Sequence, residues 1–184
     1  QVNRVLTRLN HSPVATLPPR PAKAGKLNIG QIFAPNRIRA TIALWVGIFM
    51  GFMSLYFVIS WITKLASGAG LSLDNAIYVG AILNFGACLG TIAMGKLSTV
   101  FPQHRVGAIF LIVAAAMLVV FGTVVMPLPM VLINAFLMGV AIYGGFNAFY
   151  GLAASLYPAA VRSTGIGWAM GVGRFGAVVG PTFG

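Results

Sequence analysis

Acidic side chains are almost missing. Asp74 is the one carboxylate against twelve Lys and Arg, a formal net charge of +11 over 184 residues. A single carboxylate cannot supply paired-acid catalysis or a carboxylate cage for a metal within this chain. Cysteine is equally scarce, and Cys88 alone excludes a disulfide framework or a cysteine-based zinc cluster. His11 and His104 stand far apart in sequence without a third ligand, so no metal and no cofactor is expected. Charged residues of both signs make up 7% of the chain, against about 25% in a soluble globular protein, which needs them to cover its surface. A water-soluble fold is therefore excluded. Disorder is excluded as well, because it goes with low hydrophobicity. What is present is apolar: 59% of residues are hydrophobic and the mean hydropathy is +0.93. This is the composition of a polytopic membrane protein.

The few charges mark out the spans. Ala40 to Thr63 is a run of 24 uncharged residues, and Asn75 to Gly95 is a run of 21. No Lys, Arg, Asp or Glu occurs in the 56 residues between Arg105 and Arg162. As one helix that run would be about 84 Å long, far more than a bilayer. Met126-Pro127-Leu128-Pro129 divides it, since two prolines one residue apart suit a turn and not a helix interior. A last apolar stretch starts near Ser163. With about 20 apolar residues needed per crossing, five transmembrane helices are expected, at about 40–63, 75–96, 106–126, 130–156 and 163–184. Helices follow from the bilayer, because isolated strands would leave backbone groups unpaired in hydrocarbon. The chain starts at Gln1 and stops inside the fifth stretch, so it reads as a fragment.

Orientation follows from the basic residues. Arg4, Arg8, Arg20, Lys23, Lys26, Arg37 and Arg39 precede the first span, Lys96 and Arg105 flank the second loop, and Arg162 the fourth. The opposite loops hold only Lys64 and Asp74. The positive-inside rule places the N-terminal segment in the cytoplasm, with the protein in the cell (inner) membrane. Because the basic residues are loop flanks, no nucleic-acid partner is expected; the partner is the lipid bilayer. Residues 1–36 read as a linker. Val2, Val5, Leu6 and Leu9 suggest one amphipathic turn, and Pro13, Pro18, Pro19 and Pro21 prevent further regular structure.

Arg174 is the leading site candidate. It lies 12 residues after Arg162, about 18 Å along a helix. An arginine near the bilayer centre costs at least ~2.5–3.5 kcal/mol, so it needs a wet cavity or a partner. It reads either as a cationic anchor for an anionic substrate or charge partner, or as a structural arginine bonded to backbone carbonyls. Tyr143, Asn147 and Tyr150 follow at i, i+4 and i+7 and share one helix face, which lines a cavity or bonds another helix. Asn84 in the second span has the same two readings. Trp45, Phe49, Phe52 and Tyr56 line a face of the first span, as an aromatic cavity wall or as a lipid and core contact. Arg174, Asn147, Tyr143, Tyr150, Asn84 and Tyr56 together form the candidate substrate site.

Glycines at four-residue spacing, Gly47/Gly51, Gly86/Gly90, Gly167/Gly171 and Gly176/Gly180, predict close helix packing. Gly171 to Gly176 also matches a dinucleotide fingerprint, but no strand precedes it and it sits inside a span. No nucleophile–base or metal constellation supports an enzyme.

Tyr157-Pro158-Ala159-Ala160-Val161-Arg162-Ser163-Thr164-Gly165, with Gly167-Trp168, Gly171-Val172-Gly173-Arg174-Phe175-Gly176 and Gly180-Pro181, resembles the tenth-to-eleventh helix region of the major facilitator superfamily. Within it the resemblance points to the aromatic acid:proton symporters. Ile32-Phe33-Ala34-Pro35 through Arg39-Ala40-Thr41, Trp45 and Trp61 look like that family's entry to helix seven. Gly95-Lys96-Leu97-Ser98 resembles the start of the superfamily loop motif, but Thr99, Val100 and Pro102 depart from its continuation. The resemblance implies an all-α integral membrane fold: helices seven to eleven of a C-terminal six-helix bundle, the last helix absent, with residues 1–36 as the central cytoplasmic loop. It implies proton symport of an aromatic or other small organic carboxylate by alternating access, with the proton carrier in the missing N-terminal half. Alternatives are a sugar or other metabolite porter of the same superfamily, or a non-transporting membrane sensor or assembly protein.

Overall fold

The computed structural model describes residues 29–183; the amphipathic turn and proline-rich stretch expected before them lie outside the described residues. Five α-helices follow a short 3-10 turn at Ile29–Phe33: α1 (Ile38–Gly68), α2 (Leu73–Val100), α3 (Gln103–Thr123), α4 (Leu128–Leu156) and α5 (Arg162–Val179). Among the described residues there is no strand, and the fold is the all-α membrane architecture. Helices α1 to α4 are each long and apolar enough to cross a membrane. The fifth is shorter, 18 residues with two arginines and five glycines, and a 3-10 turn at Gly180–Phe183 continues it. Regular helix gives way there because Pro181 has no N–H to donate.

Local chemistry sets the boundaries. Gly70, at φ +92°, makes the reversal after α1, a left-handed conformation that glycine adopts without cost. The Ser72 side chain then accepts from the Asn75 N–H at 3.4 Å to cap α2, with Asp74 in its positive first turn. Pro127 caps α4 and Pro129 occupies its first turn, where a missing N–H costs nothing. Helix α2 runs past the expected end at residue 96, so that Leu97 and Ser98 join Gly95 and Lys96 on its last turns. No breaker intervenes before Pro102, and the Ser98 and Thr99 hydroxyls bond back to the carbonyls of Gly95 and Lys96.

Helix α4 is the hub. Half of its most apolar stretch is buried inside the molecule, against 17% for the outlying α3. It packs on α2 along one side and on α3 along another, while α1 packs on α5. The first and third pairs are backbone contacts made by glycine. A Cβ on Gly86 or Gly90 would collide with the carbonyls of Phe136 and Val140 in α4. A Cβ on Gly176 or Gly180 would collide with the carbonyls of Phe49 and Met53 in α1. In both pairs the contacts advance together by four residues, so the paired helices run parallel. Because α1 and α2 are joined by a tight reversal, the two pairs run in opposite directions. The sequence carries the same relation: Phe85-Gly86-Ala87 with Gly90 recurs as Phe175-Gly176-Ala177 with Gly180, and Phe49 to Tyr56 in α1 corresponds to Phe136 to Tyr143 in α4. The chain therefore contains an inverted internal repeat in which Tyr56 and Tyr143 hold equivalent places.

Among the described residues, neither Gly167 nor Gly171 would bring an added Cβ within 4 Å of a neighbour. Both lie on the side of α5 turned away from the Gly173–Gly176–Gly180 seam, beside Trp168 and Phe175.

Candidate functional site

Five of the six expected site residues belong to one connected surface running across α5, α1 and α4. Arg174 is exposed, and its guanidinium lies 5.4 Å from the centre of the Phe52 ring. Phe52 is buried on α1 and meets the edge of Phe146 on α4 at 4.7 Å. It also lies 6.1 Å from Tyr56, and Phe146 lies 5.8 Å from Tyr150. Tyr143 is half-buried on α4, on the same helix face as Tyr150. A cation over a ring face contributes about 0.5–1 kcal/mol at an exposed site, enough to orient the side chain and too little to neutralise it. Among the described residues Arg174 has no ion-pair partner, and the single acid, Asp74, lies in the first turn of α2. Here a cation is presented on an aromatic wall.

Asn147 joins this surface to α2. Its Nδ2 donates to the Tyr143 carbonyl at 2.8 Å and to Thr91 Oγ1 at 2.9 Å. Thr91 Oγ1 in turn donates to the Ala87 carbonyl at 3.0 Å. Since the carbonyls can only accept, the direction of every bond in this chain is determined. Asn84, two helical turns before Thr91, is exposed and donates to its own helix at the Gly80 carbonyl, 2.9 Å away. It shares the helix face of Thr91 but makes no side-chain bond to the other candidates among the described residues.

The sequence reasoning missed Thr91 and Phe146; it placed Phe52 on the aromatic face of the first span but not among the site residues. Thr91 was within reach, because it stands seven residues after Asn84 and therefore on the same face. The aromatic face of α1 is divided by its neighbour. Phe52 and Tyr56 turn toward α4, whereas Trp45 stacks on Trp168 of α5 at 6.5 Å and meets Phe33 edge-on at 5.4 Å. Phe49 lies under the α5 seam and separates the two groups. A cavity of about 320 Å³ opens beyond Phe146, between α1, α3 and α4. Ser54 is its one polar side chain, so it lacks the convergent polar groups that orient a ligand.

No cluster of three or more His, Cys, Asp or Glu occurs among the described residues.

Comparison with known proteins identifies the family. The model of the Major Facilitator Superfamily matches residues 4–181. The chain is 33% identical to the 4-hydroxybenzoate transporter PcaK of Pseudomonas aeruginosa, over 83% of the chain and 34% of that protein. It is 28% identical to the gallate transporter of Pseudomonas putida, over 89% of the chain and 36% of that protein. It is 32% identical to the benzoate transport protein of Acinetobacter baylyi, over 83% of the chain and 33% of that protein. The chain thus spans about a third of the length of the curated relatives it matches. No solved structure matches it.

Proposed function

Since the chain belongs to the Major Facilitator Superfamily, we propose that it is part of a secondary transporter that carries a small aromatic carboxylate together with protons. One observation carries this reading: Arg174, without an acidic partner among the described residues, is held over Phe52, whose ring lies against Tyr56. A carboxylate leaving water for the membrane interior needs a compensating cation and hydrogen-bond donors. An aromatic ring needs an apolar wall. The surface offers both, and the relatives are named for aromatic acids.

In this reading Arg174 binds the carboxylate, and Tyr56, Tyr143 and Tyr150 supply hydroxyl donors along the length of the site. Asn84 has one amide N–H bonded to Gly80 and one left to offer. The remaining wall comes from the N-terminal half of the same transporter, facing α1, α2, α4 and α5. Transport proceeds by alternating access, the two halves rocking about the site between them. Asp74, the one acid here, sits at a helix start, so the proton carrier is assigned to the other half. The protein lies in the inner membrane with residues preceding α1 in the cytoplasm.

Vesicles holding the full-length transporter test this directly. Labelled 4-hydroxybenzoate or benzoate is expected to accumulate, and a protonophore to abolish the accumulation; undiminished accumulation with the protonophore removes proton coupling. Arg174→Gln is expected to lower carboxylate uptake about 10- to 100-fold, the scale of a lost charge-assisted hydrogen bond, with normal membrane levels. Unchanged kinetics would reduce Arg174 to a structural role.

A further inference from the structure

We infer that Thr91 sets Asn147 as a hydrogen-bond acceptor that selects ring-hydroxylated aromatic acids over those without a hydroxyl. This rests on the aromatic-acid reading above and adds the substrate class within it.

A carboxamide has two N–H donors and one carbonyl acceptor. Free in a binding site, it can turn either face to a ligand. Here both donors are taken, one by the Tyr143 carbonyl and one by Thr91 Oγ1. The Thr91 hydroxyl proton is itself committed to the Ala87 carbonyl, so Thr91 can only accept from Asn147. The amide cannot be flipped without placing its oxygen against the Tyr143 carbonyl. Asn147 Oδ1 has no partner among the described residues and is not among the buried polar atoms, so it remains open to a donor. It lies one helical turn from Tyr143, on the face that continues to Tyr150.

This has a chemical consequence. An oxygen with no donor beside it repels a carboxylate, so Asn147 does not hold the acid end of the substrate. It suits the far end, where a phenolic O–H donates to it. A benzoate without a hydroxyl leaves the oxygen desolvated and unpaired, and an unmade hydrogen bond is penalised more than a made one is rewarded. Thr91 is a positioning residue: it touches Asn147, and through Asn147 it sets selectivity.

The test uses the full-length transporter in vesicles and compares uptake kcat/KM for 3- and 4-hydroxybenzoate with benzoate and 4-fluorobenzoate, the last close in size to the hydroxyl compound but unable to donate. The wild type is expected to prefer at least one hydroxybenzoate by about tenfold over both non-donors, on the scale of one hydrogen bond plus the unpaired oxygen. Thr91→Val, which keeps shape and removes the acceptor, is expected to bring that ratio below about threefold, lowering hydroxybenzoate uptake more than benzoate uptake. Thr91→Ser restores the ratio. Should the wild type carry all four acids equally, the selectivity inference fails while the aromatic-acid reading stands. Should it carry none of them, that reading fails and takes this one with it. A Thr91→Val variant that slows all four acids alike, at normal membrane levels, shows a merely structural threonine and overturns the assignment. An equal wild-type ratio overturns the inference even where the variant does not fold.

Discussion

The guanidinium of Arg174 and the carboxamide of Asn147 sit on one surface but are held by different forces. Arg174 is oriented by a ring face, a contact that has direction yet leaves all five N–H donors free. Asn147 is locked by hydrogen bonds to two helices. Replacing Phe52 with Leu keeps most of the buried volume but removes the ring beneath Arg174 and the edge contact to Phe146. Phe52→Leu is expected to raise the KM for carboxylate about two- to fivefold, with membrane levels near normal, since the lost contacts are worth roughly 0.5–1.5 kcal/mol each. Initial-rate uptake across substrate concentration reads this; a wild-type KM would show that the ring does not position the cation. At this scale the sequence was partly legible. A polar stripe at i, i+4 and i+7 identified Tyr143, Asn147 and Tyr150, because helical spacing alone places them together. Which donor of Asn147 meets which acceptor was not legible, because Thr91 lies 56 residues away in the chain.

Between elements, glycine decides how close two helices come. Gly86 and Gly90 admit the α4 backbone, and Gly176 and Gly180 admit that of α1. An added methyl there presses on backbone, which cannot rotate away. Gly86→Ala or Gly176→Ala is expected to destabilise the transporter by about 1–3 kcal/mol, the ordinary cost of overpacking. Gly171→Ala, facing open space on α5, is expected to be neutral or slightly stabilising, since alanine is the better helix former by about 1 kcal/mol. Thermal unfolding of the detergent-solubilised protein orders the three. Equal losses would mean that the exposed face of α5 is as tightly covered as its seam. Four-residue glycine spacing predicted all of these positions alike; the packing is met at Gly86/Gly90 and Gly176/Gly180, and among the described residues no neighbour lies against Gly167/Gly171. The spacing marks a smooth stripe on a helix; it does not say on which side a neighbour lies.

For the whole molecule, the inverted repeat and the charge distribution lead to one topology. Parallel pairs α1/α5 and α2/α4 run in opposite directions, and Lys96, Arg105 and Arg162 gather at one end. With Cys88 replaced by Ser, a cysteine at Ser72 is expected to react with an impermeant thiol reagent added outside the cell. One at Phe101 is expected to react only after the membrane is opened. The reverse labelling would invert the proposed orientation and move the N-terminal segment out of the cytoplasm. The membrane class, the five helical segments and their order, and the oriented charge bias were determined by the sequence alone. Each is a property of the chain in one dimension: the length of an apolar run, the place of a proline, the count of basic residues at its ends. The union of Arg174 with Phe52, the separation of Trp45 from Tyr56, and the tie between Thr91 and Asn147 were decided only by tertiary structure. They depend on which faces of distant helices meet and at what register, and local spacing carries no information about a partner helix that arrives tens of residues later.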